Sequence, residues 1–135
     1  MSRKEARENA FKCVYQFEFD KDKNVNDILD MCLAENQSNE AEEEYIKEVV
    51  LGVKQNSEKI DEEILKNLKN WSISRIAKVD LAILRIAIYE MCYMSDSIPF
   101  KVSINEAVEL AKTYGNQNSK SFVNGLLAKV ILDIK

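Results

Sequence analysis

The stretch VDLAILRIAIYEMCYM, residues 79–94, decides the fold. At about 100° per residue its polar members Asp80, Arg85 and Glu90 point in widely separated directions, so apolar side chains occupy nearly the whole helix circumference. A helix of that kind belongs in the middle of a protein. It is too short and too charged to span a bilayer, which takes about 20 predominantly apolar residues, and it reads as the central core helix of a soluble bundle. The three charges then need an account. Buried Asp, Arg and Glu are rare unless paired, so each must find a partner inside or emerge where a ligand can meet it.

Outward from this helix, the 135 residues suit one domain, 1–135, long enough to bury roughly two-thirds of its unfolded surface. Three Gly and one Pro leave little turn-forming material, and no β-branched alternation competes with helix, so an all-α class of about seven helices with short connections is expected. The net charge of −4 argues against nucleic-acid binding by bulk electrostatics; any such site must be local. Cys13, Cys32 and Cys92 are odd in number, widely spaced and set in helical patterns, which reads as reduced core residues of a cytoplasmic protein rather than a disulfide framework or a metal site. The N-terminus runs directly into an amphipathic pattern and shows no signal peptide.

Before the central helix, a first helix is expected over residues 3–19, with Ala6, Ala10, Cys13, Val14 and Phe17 on one apolar arc. On its flank Lys4, Arg7, Phe11 and Tyr15 follow at steps of three or four, two cations and then two aromatics. Cations neutralise phosphates and aromatic faces stack on unpaired bases, so the stripe suits single-stranded RNA. Taken alone, a widened core face with solvated cations explains it better. Asn24 is placed to cap a second helix through Val25, Ile28, Leu29 and Cys32. Six Glu against Lys47 between residues 35 and 48 read as a solvated loop and a helix first turn, where Glu complements the macrodipole. Tyr45 to Val53 continue as helix, Asn56 or Ser57 caps the next through Ile60 to Leu68, and Trp71 plugs a short connector.

After the central helix, SDSIP is a turn, because Pro99 cannot continue a helix. Ser103 and Glu106 read as a capping box opening a helix that Gly115 closes. The last helix carries Phe122, Val123, Leu126, Leu127, Val130 and Ile131, and Gly125 inside it suggests a close helix crossing or a backbone approached by a ligand. Enzymology has little to work with. There is no His, which removes the usual base near neutral pH and the commonest metal ligand, and no CxxC, GxGxxG, P-loop or HExxH pattern occurs. No catalytic residue, metal site or cofactor is expected.

The segments LAILRIAIYEM, IPFKVSINEAVELAKTYG and KSFVNGLLAKV, with the opening SRKEARENAFKCVYQFEFD, resemble the transcription antitermination factor NusB family in order and spacing from about Ser2 to Val130. The resemblance implies an all-α fold of two packed helical subdomains, approximately 1–70 and 71–135, and no catalysis. It implies binding of the boxA element of nascent ribosomal RNA together with the ribosomal protein NusE, within an RNA polymerase antitermination complex. By position Arg3, Lys4 and Arg7 would meet phosphates, Tyr15 would stack or hydrogen-bond nearby, and Lys101, Phe122 and Asn124 would complete the RNA surface. Asp80 and Arg85 match positions near the RNA and NusE surfaces, with a buried ion pair between subdomains as the alternative. Two departures bear on affinity: Glu5 interrupts the opening positive charge, and Asn118 stands where many relatives carry an acid. Two other readings stay open, a helical protein-interaction module or homodimer without an RNA role, and a relative of the RNA-binding domain of ribosomal RNA cytosine methyltransferases. An enzyme is a remote third.

Overall fold

The structure, a computed structural model, describes residues 2–19, 22–35, 39–69 and 72–134. Seven α-helices account for most of them: α1 Arg3–Phe17, α2 Val25–Glu35, α3 Glu40–Gln55, α4 Ser57–Lys66, α5 Lys78–Tyr93, α6 Phe100–Tyr114 and α7 Ser119–Ile134, with a 3-10 turn at Ile73–Arg75 before α5. No strand occurs among the described residues.

The helices start where side chains can satisfy their first N–H groups. Ser2 Oγ accepts from the Glu5 N–H at 3.1 Å, and Asn39 Oδ1 accepts from the Glu42 N–H at 2.9 Å. Glu40, Glu42 and Glu43 lie in the first turn of α3, where their charge meets the positive end of the helix dipole. The Asn24 side chain accepts from the Asn26 N–H at 2.8 Å at the entry to α2. The plug expected at Trp71 lies outside the described residues.

Helix α5 is the centre, packed against α1, α3, α4, α6 and α7. Eleven of its sixteen residues are buried, which explains why its sequence lacks a polar face. Ile83, Leu84 and Ile88 are wholly removed from solvent, and each such side chain contributes about 1.5–3 kcal/mol of transfer free energy. Phe11 is buried in the same core, as the simpler reading of the α1 stripe expected. Gly52 of α3 makes room for a side chain of α5: a Cβ there would overlap the ring of Tyr89, whose hydroxyl donates to Glu48 Oε2 at 3.4 Å.

Four local expectations are corrected. The capping box at Ser103 is absent, since α6 begins three residues earlier behind Pro99 and Ser103 is buried with its hydroxyl donating to Glu90 Oε1 at 2.8 Å. A buried carboxylate needs donors, and the serine supplies one. Asn56 precedes α4, but its side-chain amide donates to the Gly52 carbonyl at 2.9 Å, closing α3 instead of capping α4. Gly125 is no helix crossing: a Cβ there would meet nothing within 4 Å. Cys13 and Cys32 are joined by a disulfide between α1 and α2, their Cα atoms 6.6 Å apart, while Cys92 is free. That pairing depends on how α2 folds back over α1, which spacing does not reveal.

Candidate nucleic-acid interface

Arg3 and Lys4 are exposed on the first turn of α1. The Arg3 guanidinium lies 4.5 Å from the centroid of the Tyr45 ring, and its Nε is 3.8 Å from Glu42 Oε2, a cation–π contact and a loose ion pair that aim a long side chain without burying it. Glu5, beside them, accepts a hydrogen bond from the Ser2 hydroxyl at 3.3 Å. One turn further on, Arg7 turns inward. It is 4% exposed, with Nε donating to Glu90 Oε2 at 2.8 Å and Nη2 donating to Oε1 at 3.2 Å. Burial opposes the guanidinium charge, yet the bond to Glu90 and the surrounding negative charge outweigh it and raise the Arg7 pKa.

Glu90 is the hub of this arrangement. Besides Arg7 of α1 it accepts from Tyr45 Oη of α3 at 2.5 Å and from Ser103 Oγ of α6. Burial and the neighbouring Glu90 carboxylate hold the Tyr45 hydroxyl well above its ordinary pKa, so it stays a donor. One carboxylate thus fastens the start of α1 to the start of α6. Lys101, two residues before Ser103, is exposed on that same first turn of α6.

Along α1 the aromatic part of the stripe continues. Tyr15 is half-buried, its ring 5.9 Å from Phe11 and 4.9 Å edge-on from Phe19. Phe19 is 61% exposed, and Lys78 Nζ sits 4.6 Å from its ring centroid. Lys78 opens α5, two residues before Asp80. Asp80 is buried, and its Oδ1 has no hydrogen-bond partner among the described residues. It lines an open pocket of about 260 Å³ with Arg75, Asn116, Asn118 and Phe122, which joins the connector before α5 to the α6–α7 loop. Phe122 is half-buried there, whereas Asn124 and Gly125 are exposed on α7.

The NusB family model matches residues 4–132. The chain belongs to the NusB family. A transcription antitermination protein NusB from Acetivibrio thermocellus is 53% identical over 97% of this chain and 89% of its own length. Another, from Bacillus cereus, is 42% identical over 96% and 97%. The solved structure of T. maritima NusB superposes with a TM-score of 0.92 at 36% identity, over 98% of this chain and 92% of that one. A crystal structure of antitermination factors NusB and NusE in complex with dsRNA matches at 0.87 and 29% identity, over 97% and 96%. The all-α NusB fold expected from the sequence is therefore the fold observed.

With the NusB family established, the positions proposed for its RNA surface divide. Arg3, Lys4, Lys101 and Asn124 are exposed, and Tyr15 and Phe122 are half-buried. Arg7 differs from the others, because its side chain is buried and its guanidinium is bonded to Glu90 rather than held at the surface. Arg85 takes the ion-pair alternative, with partners that the sequence did not suggest: Glu18, the residue that follows α1, and Asp61 of α4 through two bonds at 3.1 and 3.2 Å. Burial pushes the Arg85 guanidinium below its ordinary pKa. Sequence reasoning missed Glu90 as the shared acceptor, although a lone Glu on an otherwise apolar helix was the signal that a buried partner existed. Nor did it single out Lys78, which lies over the Phe19 ring, or Arg75, which lines the pocket with Asp80. No group of three or more His, Cys, Asp or Glu suited to a metal ion occurs among the described residues. Nor is any described helix long and apolar enough to cross a membrane.

Proposed function

We propose that this NusB-family chain is a non-enzymatic, cytoplasmic transcription antitermination factor that binds the boxA element of nascent ribosomal RNA together with a NusE-type ribosomal protein and delivers both to the RNA polymerase antitermination complex. The carrying observation is the clamp at Glu90, which holds the exposed cations of two helix starts, Arg3 and Lys4 on α1 and Lys101 on α6, on one body. Phosphates meet these cations, Tyr15 and Phe122 stack on or flank unpaired bases, and Asn124 hydrogen-bonds beside the open backbone of Gly125. Asp80 lies at the margin of this surface toward the protein partner, and Arg85 supports it from inside by tying α5 to α1 and α4. The helices before and after residue 70 form the two subdomains that carry the two parts of the surface.

An acidic protein with a few exposed cations binds RNA weakly by itself, and a second protein on the same RNA raises affinity through effective concentration. The test is fluorescence anisotropy of a boxA-type single strand, a scrambled strand and a duplex, at two salt concentrations, with and without purified NusE. Sequence-dependent binding sharpened by NusE and lost in Lys4→Glu with Lys101→Glu is the expected result. Equal binding of boxA and scrambled RNA in the presence of NusE defeats the proposal.

A further inference from the structure

We propose that the Cys13–Cys32 pair is a reversible thiol–disulfide switch that fastens α2 to α1. The two helices present their sulfurs to each other from buried positions, Cys13 wholly excluded from solvent and Cys32 at 9% exposure. Their Cα atoms, 6.6 Å apart, stand at a separation that a bridge spans without backbone movement. A reduced cysteine packs as a small apolar side chain, so the two thiols also fit these buried positions. The two states therefore share one fold and differ in how firmly α2 is held.

Helix α2 is the element for which this matters. It packs chiefly on α1 and α3 and, among the described residues, contributes Ile28, Leu29 and Cys32 to the buried core, whereas α1 and α3 each bury seven or more residues. An element with so few buried apolar groups opens at a lower free energy than the rest of the molecule. The bridge removes that opening and, by closing the chain between residues 13 and 32, restricts the unfolded ensemble as well. Opening of α2 also supplies the access that exchange requires, since it carries Cys32 toward solvent while Cys13 stays on α1. Cys92 lies on α5, outside this pair.

The oxidant fitting this chemistry is a small-molecule disulfide of the glutathione type. The Cys32 thiolate attacks one sulfur of the oxidant, forming a mixed disulfide and expelling one small thiolate. The Cys13 thiolate then attacks Cys32 Sγ, closing the protein bridge and expelling the second. Two protein thiols lose two electrons, the oxidant gains them, and the two cysteine protons pass to the departing thiolates. Reduction by excess small thiol runs the same steps backwards.

The experiment equilibrates the full-length protein under native conditions in oxidised and in reduced glutathione, and alkylates free thiols for mass spectrometry. Parallel samples are followed by thermal melting and by amide hydrogen exchange resolved by helix. Oxidised protein is expected to expose one alkylatable thiol, Cys92, and reduced protein all three. Oxidation is expected to raise the melting temperature by several degrees and to slow exchange in α2 about tenfold or more while leaving α7 unchanged. Cys32→Ala abolishes every one of these responses, and the wild-type comparison needs no variant. Three results overturn the proposal: all three thiols remaining free in oxidised buffer, a bridge that native-state reductant does not open, or exchange in α2 that ignores the redox state.

Discussion

Arg7 and Glu90 are 83 residues apart in sequence and joined by a 2.8 Å hydrogen bond in the core. Removing one member of such a pair strands the other charge, at a cost of about 3–5 kcal/mol, whereas replacing both by apolar groups is often neutral. The two members are not equivalent. Without Arg7, Glu90 still accepts from Tyr45 and Ser103; without Glu90, a buried guanidinium and two hydroxyls lose their acceptor. Glu90→Met is therefore expected to destabilise more than Arg7→Met in urea denaturation, and the double variant less than the sum of the two. Additive losses would show that the pair does not couple.

The exposed cations separate from Arg7 by the same reasoning. Lys4→Gln and Lys101→Gln are expected to leave the free energy of unfolding within about 0.5 kcal/mol of wild type. Each is expected to lower the slope of log K for RNA against log salt by about 1. Arg7→Gln should do the opposite, lowering stability first. A salt slope unchanged in both lysine variants removes these residues from the interface.

Two glycines make opposite predictions. At Gly52 an added methyl collides with the Tyr89 ring, so Gly52→Ala is expected to cost about 1–3 kcal/mol. At Gly125 it meets open space inside an exposed stretch of α7, and Gly125→Ala should stabilise the protein by roughly 0.5–1 kcal/mol. If the bare backbone at Gly125 is where RNA comes close, that stabilised variant binds RNA more weakly than wild type. Undiminished binding would leave the glycine without a role in recognition.

Tyr114 donates to Glu8 Oε2 at 2.6 Å across the α1–α6 contact, and this bond, with burial adding to it, raises its pKa from 10.0 to about 12. A raised pKa favours the protonated form in the folded state. The contribution is full below pH 10 and is lost as pH rises toward 12, where the unfolded chain has released the proton and the folded chain has not. Stability measured across that window should fall less steeply in Tyr114→Phe than in wild type. Identical slopes would mean that the bond does not persist in solution.

The central helix, the helix count and the all-α class were legible in residues 79–94 and in the scarcity of Gly and Pro, because burial on all sides and helical periodicity are written locally. Lys4 was placed on an exposed flank by the same periodicity, while Arg3 and Lys101 were placed only by the resemblance to the NusB family. The destinations of the charges were not legible. Whether Arg7 met solvent or Glu90, whether Ser103 capped a helix or served a carboxylate, and whether Cys13 met Cys32 all depended on contacts between distant segments. A side chain's periodicity states which face it occupies; what stands opposite that face is decided only when the helices pack, and a buried charge takes whichever donor or acceptor the packing brings within about 3 Å.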